Sequence, residues 1–177
     1  MTIRMVALAA IAALLGGGAL AFPTTASAAL PGFTCGTQNG GTDINGNPTN
    51  VTAVRVGRHD SESPAYDRFV VEFSNGPVPK WTAIPKSSAN FWLQPSNQPV
   101  KLAGAAGIRL DFFVGTDPAY RGQTNFVTGF PQLAQARELE DFRGDVQWGL
   151  GLKHQSCKRI FELNSQTGAR LVIDVPQ

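Results

Sequence analysis

Ile108-Arg109-Leu110-Asp111-Phe112 alternates apolar and charged side chains before running on through Phe113 and Val114. Successive side chains of an extended chain point to opposite faces, so Ile108, Leu110 and Phe112 share one face and Arg109 and Asp111 the other. That is the pattern of a strand with one face on a core. The same period recurs downstream in Val146 to Leu152, where Val146, Trp148, Leu150 and Leu152 share a face and Trp148 is expected in the core. Upstream, Val51 to Gly57 and Arg68 to Ser74 read as strands, the second ended by Asn75-Gly76-Pro77. Trp81 to Ile84, flanked by Pro79 and Pro85, reads as an edge strand, where a missing N–H is harmless. Arg159 to Leu163 and Arg170 to Val175 complete a set of at least seven short strands, which predicts an all-β chain folded as a single antiparallel β-sandwich. One stretch leaves two readings open. Residues 132–142 carry Leu133, Ala136, Leu139 and Phe142 at three-residue spacing among good helix formers, which fits a short helix as well as a strand.

The 177 residues are 42% hydrophobic and 16% charged, enough apolar matter for one core and too little charge for a disordered chain. A formal charge of +2 leaves no strongly basic balance, which argues against a nucleic-acid partner. Two Cys and two His are too few for a Cys/His zinc site, and no phosphate-binding loop, dinucleotide motif or haem attachment motif is present, so no cofactor is expected. Residues 1–28 read as a signal peptide: Arg4, an apolar or Gly run from Met5 to Phe22, Pro23, and Ala26-Ser27-Ala28 as the cleavage site. Cleavage leaves a chain starting at Ala29 with a formal charge of +1 and no membrane span. Such a protein is secreted or cell wall-associated. Export also lets paired thiols persist, and Cys35 with Cys157 is then the expected disulfide. Closing so long a loop is worth roughly 4 to 5 kcal/mol in the chain-entropy view.

Residues 29–50 form a Gly/Asn-rich lead-in, and the domain proper spans 51–177. Within the lead-in, Asp43-Ile44-Asn45-Gly46-Asn47 mimics half a calcium loop, but Pro48 and Val54 stand where Gly and Glu are required, and an Asn-Gly turn is the better account. Asn50-Val51-Thr52 matches the glycosylation triplet, which has meaning only in a eukaryotic host.

Two groups of residues carry candidate chemistry. Arg58-His59-Asp60 and Tyr66-Asp67-Arg68 bracket a short loop between the first two strands, so a hairpin there would gather a His, two carboxylates, two guanidiniums and a Tyr. That set suits capture of a polar ligand or acid/base work; the plainer reading is a solvated loop laced by ion pairs. A small hydrolase using His59 and Asp60 is the alternative function, though no nucleophile elbow, S-x-x-K or H-E-x-x-H motif supports it. The second group is aromatic. Trp92, amid Pro, Ser and Asn, is the expected exposed indole, and the irregular segment from Thr116 to Phe130, with Tyr120 and Arg121, would flank a ligand groove or meet an envelope protein.

Several runs taken in order carry a family resemblance: Val54 to Asp60, Tyr66 to Phe73, Asp141-Phe-Arg-Gly-Asp-Val-Gln-Trp-Gly-Leu-Gly-Leu152, Arg159 to Leu163, and Ala169-Arg-Leu-Val-Ile-Asp-Val175. Together they resemble the AMIN-like domain of exported actinobacterial proteins. The resemblance implies a small β-sandwich, a non-catalytic role in the cell envelope, and peptidoglycan or another cell-wall glycan as the partner to expect.

Overall fold

In the computed structural model the alternation of 108–114 becomes the middle of a sheet: Leu110 lies between Trp148 and Ala83, and Phe112 between Val146 and Trp81, all on one face. The structure describes residues 29–44, 46–115, 120–165 and 168–177, so the expected signal peptide lies outside the described residues. Twelve strands run through the described part. They are β1 (Gln38–Gly40), β2 (Val51–His59), β3 (Tyr66–Phe73), β4 (Trp81–Lys86), β5 (Asn90–Leu93) and β6 (Gln98–Lys101), followed by β7 (Ala106–Phe113), β8 (Asn125–Val127), β9 (Leu133–Phe142), β10 (Asp145–Leu152), β11 (Arg159–Ser165) and β12 (Gly168–Pro176). A six-stranded sheet runs β1-β4-β7-β10-β9-β8, a four-stranded sheet β11-β12-β3-β2, and β5 and β6 form a separate hairpin. All named strand pairs are antiparallel.

The two larger sheets pack as a sandwich because each offers one apolar face. Val54, Phe69, Val71, Phe73, Leu171 and Ile173 from the four-stranded sheet meet Trp81, Ile108, Leu110, Phe112, Trp148 and Leu150 from the other in one core cluster. Aromatic pairs bridge the sheets: the ring of Phe69 lies 5.4 Å from that of Trp148, and Phe73 meets Phe112 edge-on at 5.3 Å. Trp148 is fully buried, as its alternation requires.

The 132–142 segment is strand, not helix, and the cause of the helix-like spacing is visible in the register. β9 carries two bulges against β10, one between Leu133 and Gln135 and one between Glu138 and Glu140. Each inserts one extra residue and re-phases the alternation. Leu133 and Ala136 therefore both reach the main core, while Leu139 turns to the opposite face and joins a satellite cluster with Ala89, Phe91 and Leu102. The lead-in is also tied down: β1 covers Trp81 to Ala83 on β4, and Thr34 exchanges both backbone hydrogen bonds with Lys158 at 2.8 and 2.9 Å. The Cys35–Cys157 disulfide lies beside that bridge. The half of β4 that holds Pro85 extends past β1, so the edge character expected for this strand is confined to that half.

The satellite cluster exists because the hairpin of β5 and β6 lies on the outer face of the six-stranded sheet. A Cβ at Gly149 would meet Leu102, Leu139 and Phe91 at 3.0 to 3.3 Å, and one at Gly107 would meet the Phe91 ring at 2.8 Å. Glycine at these outward positions makes the seat.

Candidate functional site

β2 and β3 pair His59 with Tyr66, Arg58 with Asp67, and Gly57 with Arg68, so the structure gathers five of the expected residues at one end of the four-stranded sheet, with Asp60 next to them in the chain. Alternation then divides them. His59, Tyr66 and Arg68 face outward, where the His59 and Tyr66 rings stack at 4.6 Å and the Arg68 guanidinium sits 5.0 Å from the Tyr66 ring. Arg68 donates from Nε and Nη2 to Asp174 at 2.6 and 2.9 Å, and Arg159 donates to the same carboxylate at 2.9 and 2.6 Å. Asp174 is fully buried between them, and its hydrogen bond and charge raise the pKa of Arg68.

Asp67, on the other face, is equally buried and fully used. Its Oδ2 accepts the backbone N–H groups of Gln132 and Leu133 at 2.7 and 2.8 Å, and its Oδ1 accepts Gln177 at 3.0 Å. It pins the start of β9 in one sheet to the start of β3 in the other. Asp60 accepts Gln177 at 3.0 Å and Arg58 at 2.5 Å, and the Gln177 hydrogen bond, with Arg58 beside it, lowers its pKa. Asp60 thus engages Arg58 and Gln177 while His59 lies against Tyr66, an arrangement that gives a His59/Asp60 hydrolase no geometric support.

Trp92 lies elsewhere, on β5 over the six-stranded sheet. Alternation buries Phe91 in the satellite cluster and leaves Trp92 54% exposed. The indole flanks a cleft of about 220 Å³ whose rim carries Gln94, Gln147 and Glu140 as hydrogen-bonding groups and Lys86 and Arg109 as cations. Arg109 is held by Asp111 at 3.0 Å. Burial raises the Glu140 carboxyl above its ordinary pKa, with Asp145 and Asp111 adding repulsion. The seat is firm: Gln94 N–H donates to the Leu139 carbonyl at 2.9 Å and Leu102 N–H to the Ala89 carbonyl at 2.9 Å. An exposed indole beside two amides and a carboxyl can stack on the apolar face of a sugar ring while exchanging hydrogen bonds with its hydroxyls.

The AMIN-like domain family model matches residues 49–177. The chain belongs to the AMIN-like family. AMIN-like domains are in general binding modules of the cell envelope, directed at peptidoglycan and not at catalysis. Comparison with curated proteins and with solved structures finds no match to the chain.

In this AMIN-like domain the expected residues do not form one site. Tyr120 closes a side of the sandwich: its ring packs against the main core, its hydroxyl donates to the Gln123 carbonyl at 3.1 Å, and burial raises its pKa. Arg121 acts on Asp141 of β9 by charge. The expected irregular segment contains β8, and residues 116–119 of it lie outside the described residues. Sequence reasoning missed Glu140 and Gln147, which the cleft brings beside Trp92 from 48 and 55 residues along the chain, and it missed Arg159 and Asp174 as partners of Arg68. The period-two pattern was the available signal, since it sets Gln147 opposite Trp148 and Asp174 opposite Ile173. Among the described residues no helix is long and apolar enough to cross a membrane.

Proposed function

We propose that this AMIN-like domain is an exported, non-catalytic module of the cell envelope that binds peptidoglycan or a related wall glycan through the Trp92 cleft. The observation that carries the reading is the exposed indole beside Gln94, Gln147 and Glu140, whose side chains suit a sugar ring. Membership of the family supports the wall as the target, and the Cys35–Cys157 disulfide supports export, because such bonds persist in oxidising compartments. The signal peptide read over residues 1–28 supplies the route.

The test is sedimentation of the mature protein with insoluble cell-wall sacculi at low salt. The wild type should pellet with them, and Trp92→Ala should bind about tenfold more weakly, the scale of one lost aromatic contact. Protein that stays in the supernatant, or equal pelleting of wild type and variant, would refute the reading. An envelope-protein partner docking on Trp92 is the competing outcome; crosslinking on intact cells that captures a protein through this residue would favour it.

A further inference from the structure

The outer face of the four-stranded sheet holds a second groove, remote from Trp92 and of different chemistry. Alternation turns Arg55, Gly57 and His59 of β2 outward beside Arg68, Val70 and Glu72 of β3, and next to these Arg170, Val172 and Asp174 of β12. A Cβ at Gly57 would meet only His59 Nε2, at 3.7 Å. The missing side chain leaves a groove of about 260 Å³. Its floor is apolar: Gly57, Val70 and Val172, with Leu163 of β11 at the side. Its rim is cationic: Arg55, Arg68 and Arg170.

The charges on this face do not cancel. Glu72 Oε1 accepts Arg55 Nη2 at 2.5 Å and lies 3.6 Å from Arg170 Nε, and Asp174 holds Arg68 and Arg159. Within the strands four guanidiniums share two carboxylates, and with Glu62 acting on Arg68 from the β2–β3 loop this face still keeps an excess of positive charge. Arg55 and Arg170 remain 56% and 52% exposed. A guanidinium carries five donors, and a single Glu72 oxygen occupies few of them, so both arginines keep N–H groups for a further acceptor. The alkyl stems of arginines border the valine floor, which stays nearly inaccessible although it lies on the outside of the sandwich.

A cationic rim over a narrow apolar floor selects an anion carried on a short apolar stem. An inorganic oxyanion would satisfy the rim and leave the floor unused; an apolar group would do the reverse. We propose that this groove binds the free carboxylate end of a peptide whose last residue is small and apolar. The carboxylate accepts bidentate, charge-assisted hydrogen bonds from Arg55 and Arg170, and the terminal side chain sits over Gly57 against the exposed Leu163.

The experiment is an NMR titration of the mature protein with N-acetyl-alanyl-alanine, with its C-terminal amide, and with inorganic phosphate at matched ionic strength. The free acid should shift the backbone amides of Gly57, Val70 and Val172 saturably, and the amide and phosphate should bind at least about tenfold more weakly, the scale of a lost charge-assisted contact. Arg170→Glu should weaken the free acid by a similar factor, Arg170→Lys less, and Gly57→Leu should block the groove with every charge kept. A melting curve for each variant reports its folding. Equal binding of acid and amide, binding of phosphate as tight as that of the dipeptide, or indifference to both Arg170→Glu and Gly57→Leu would overturn the proposal. Trp92→Ala should leave the titration unchanged, so loss of wall binding through Trp92 and loss of carboxylate binding here are separate results.

Discussion

Gly57 and Gly149 are both glycines on the outward side of a strand, one in each sheet of the sandwich, and their surroundings differ completely. Over Gly149 the side chains of Leu102, Leu139 and Phe91 stand within 3.3 Å of where a Cβ would be; over Gly57 there is only His59, at 3.7 Å. One glycine seats a hairpin and the other opens a groove. The carboxylates divide in the same way. Glu72 and Asp174 on the four-stranded sheet are each approached by two guanidiniums, whereas Asp111, Glu138, Glu140 and Asp141 on the six-stranded sheet all have pKa values raised by burial. The same sequence device, a small or charged residue at an outward strand position, produces opposite surfaces according to what the rest of the chain brings over it. The six-stranded sheet desolvates its acids from both sides, Glu140 beside the hairpin and Glu138 and Asp141 opposite the core residues Trp148 and Val146; arginine rows neutralise the acids of the other sheet.

The sharpest way to break this comparison is to remove one acid from each sheet. Asp174→Ala leaves Arg68 and Arg159 facing one another without their buried partner and should cost about 3 to 5 kcal/mol in denaturant unfolding. Asp111→Ala removes a half-exposed ion pair with Arg109 and should cost less than about 1 kcal/mol. Equal costs would mean that the two sheets hold their acids by the same means. The glycines give a smaller difference. Gly151→Ala, whose Cβ would come 2.2 Å from the Ala103 carbonyl oxygen, should destabilise the protein by about 1 to 3 kcal/mol. Gly57→Ala should stay within about 0.5 kcal/mol. Similar melting temperatures for these two variants would show that the chain leaving the hairpin does not press on Gly151 as closely as the structure has it.

The smallest effect depends on pH. Burial, then repulsion from Asp141, raises the Glu138 carboxyl from 4.5 to about 7. The folded chain therefore holds this proton longer than the unfolded chain, and stability falls as pH rises from about 4.5 to about 7. Glu138→Gln removes that loss. Its melting temperature should match the wild type at about pH 4 and exceed it at about pH 8, by the equivalent of about 1 kcal/mol once solvent screening of a partly exposed group is allowed for. A difference independent of pH would show that burial does not act on Glu138. Glu72→Gln, which strips Arg55 and Arg170 of their shared partner, should stabilise at no pH.

Much of the fold was legible because a strand is a local object. The alternation around Ile108, Leu110 and Phe112 and around Trp148 and Leu150 set the core faces correctly. The segment holding Leu133, Ala136 and Leu139 stayed undecided between helix and strand because two bulges distribute those residues between two clusters, and a bulge depends on the partner strand. β1, β5, β6 and β8 escaped because runs of three or four residues, with Asn, Gly or Pro among them, carry no readable period. The grouping of Arg58, His59, Tyr66 and Arg68 was legible because a hairpin brings chain neighbours together. The destination of Asp67, at the backbone of Gln132 and Leu133, was not, since it lies across the sandwich and 65 residues along the chain.

Composition and order alone fixed which side of each regular strand is apolar and, with two cysteines present, which pair could close the disulfide; these follow from the two-residue period of extended chain and from counting. Which arginines share a carboxylate, and whether an outward glycine is roofed or bare, were settled by strand order and sheet packing. Those contacts join residues such as Arg68 and Asp174, 106 positions apart, and no local rule reaches that far.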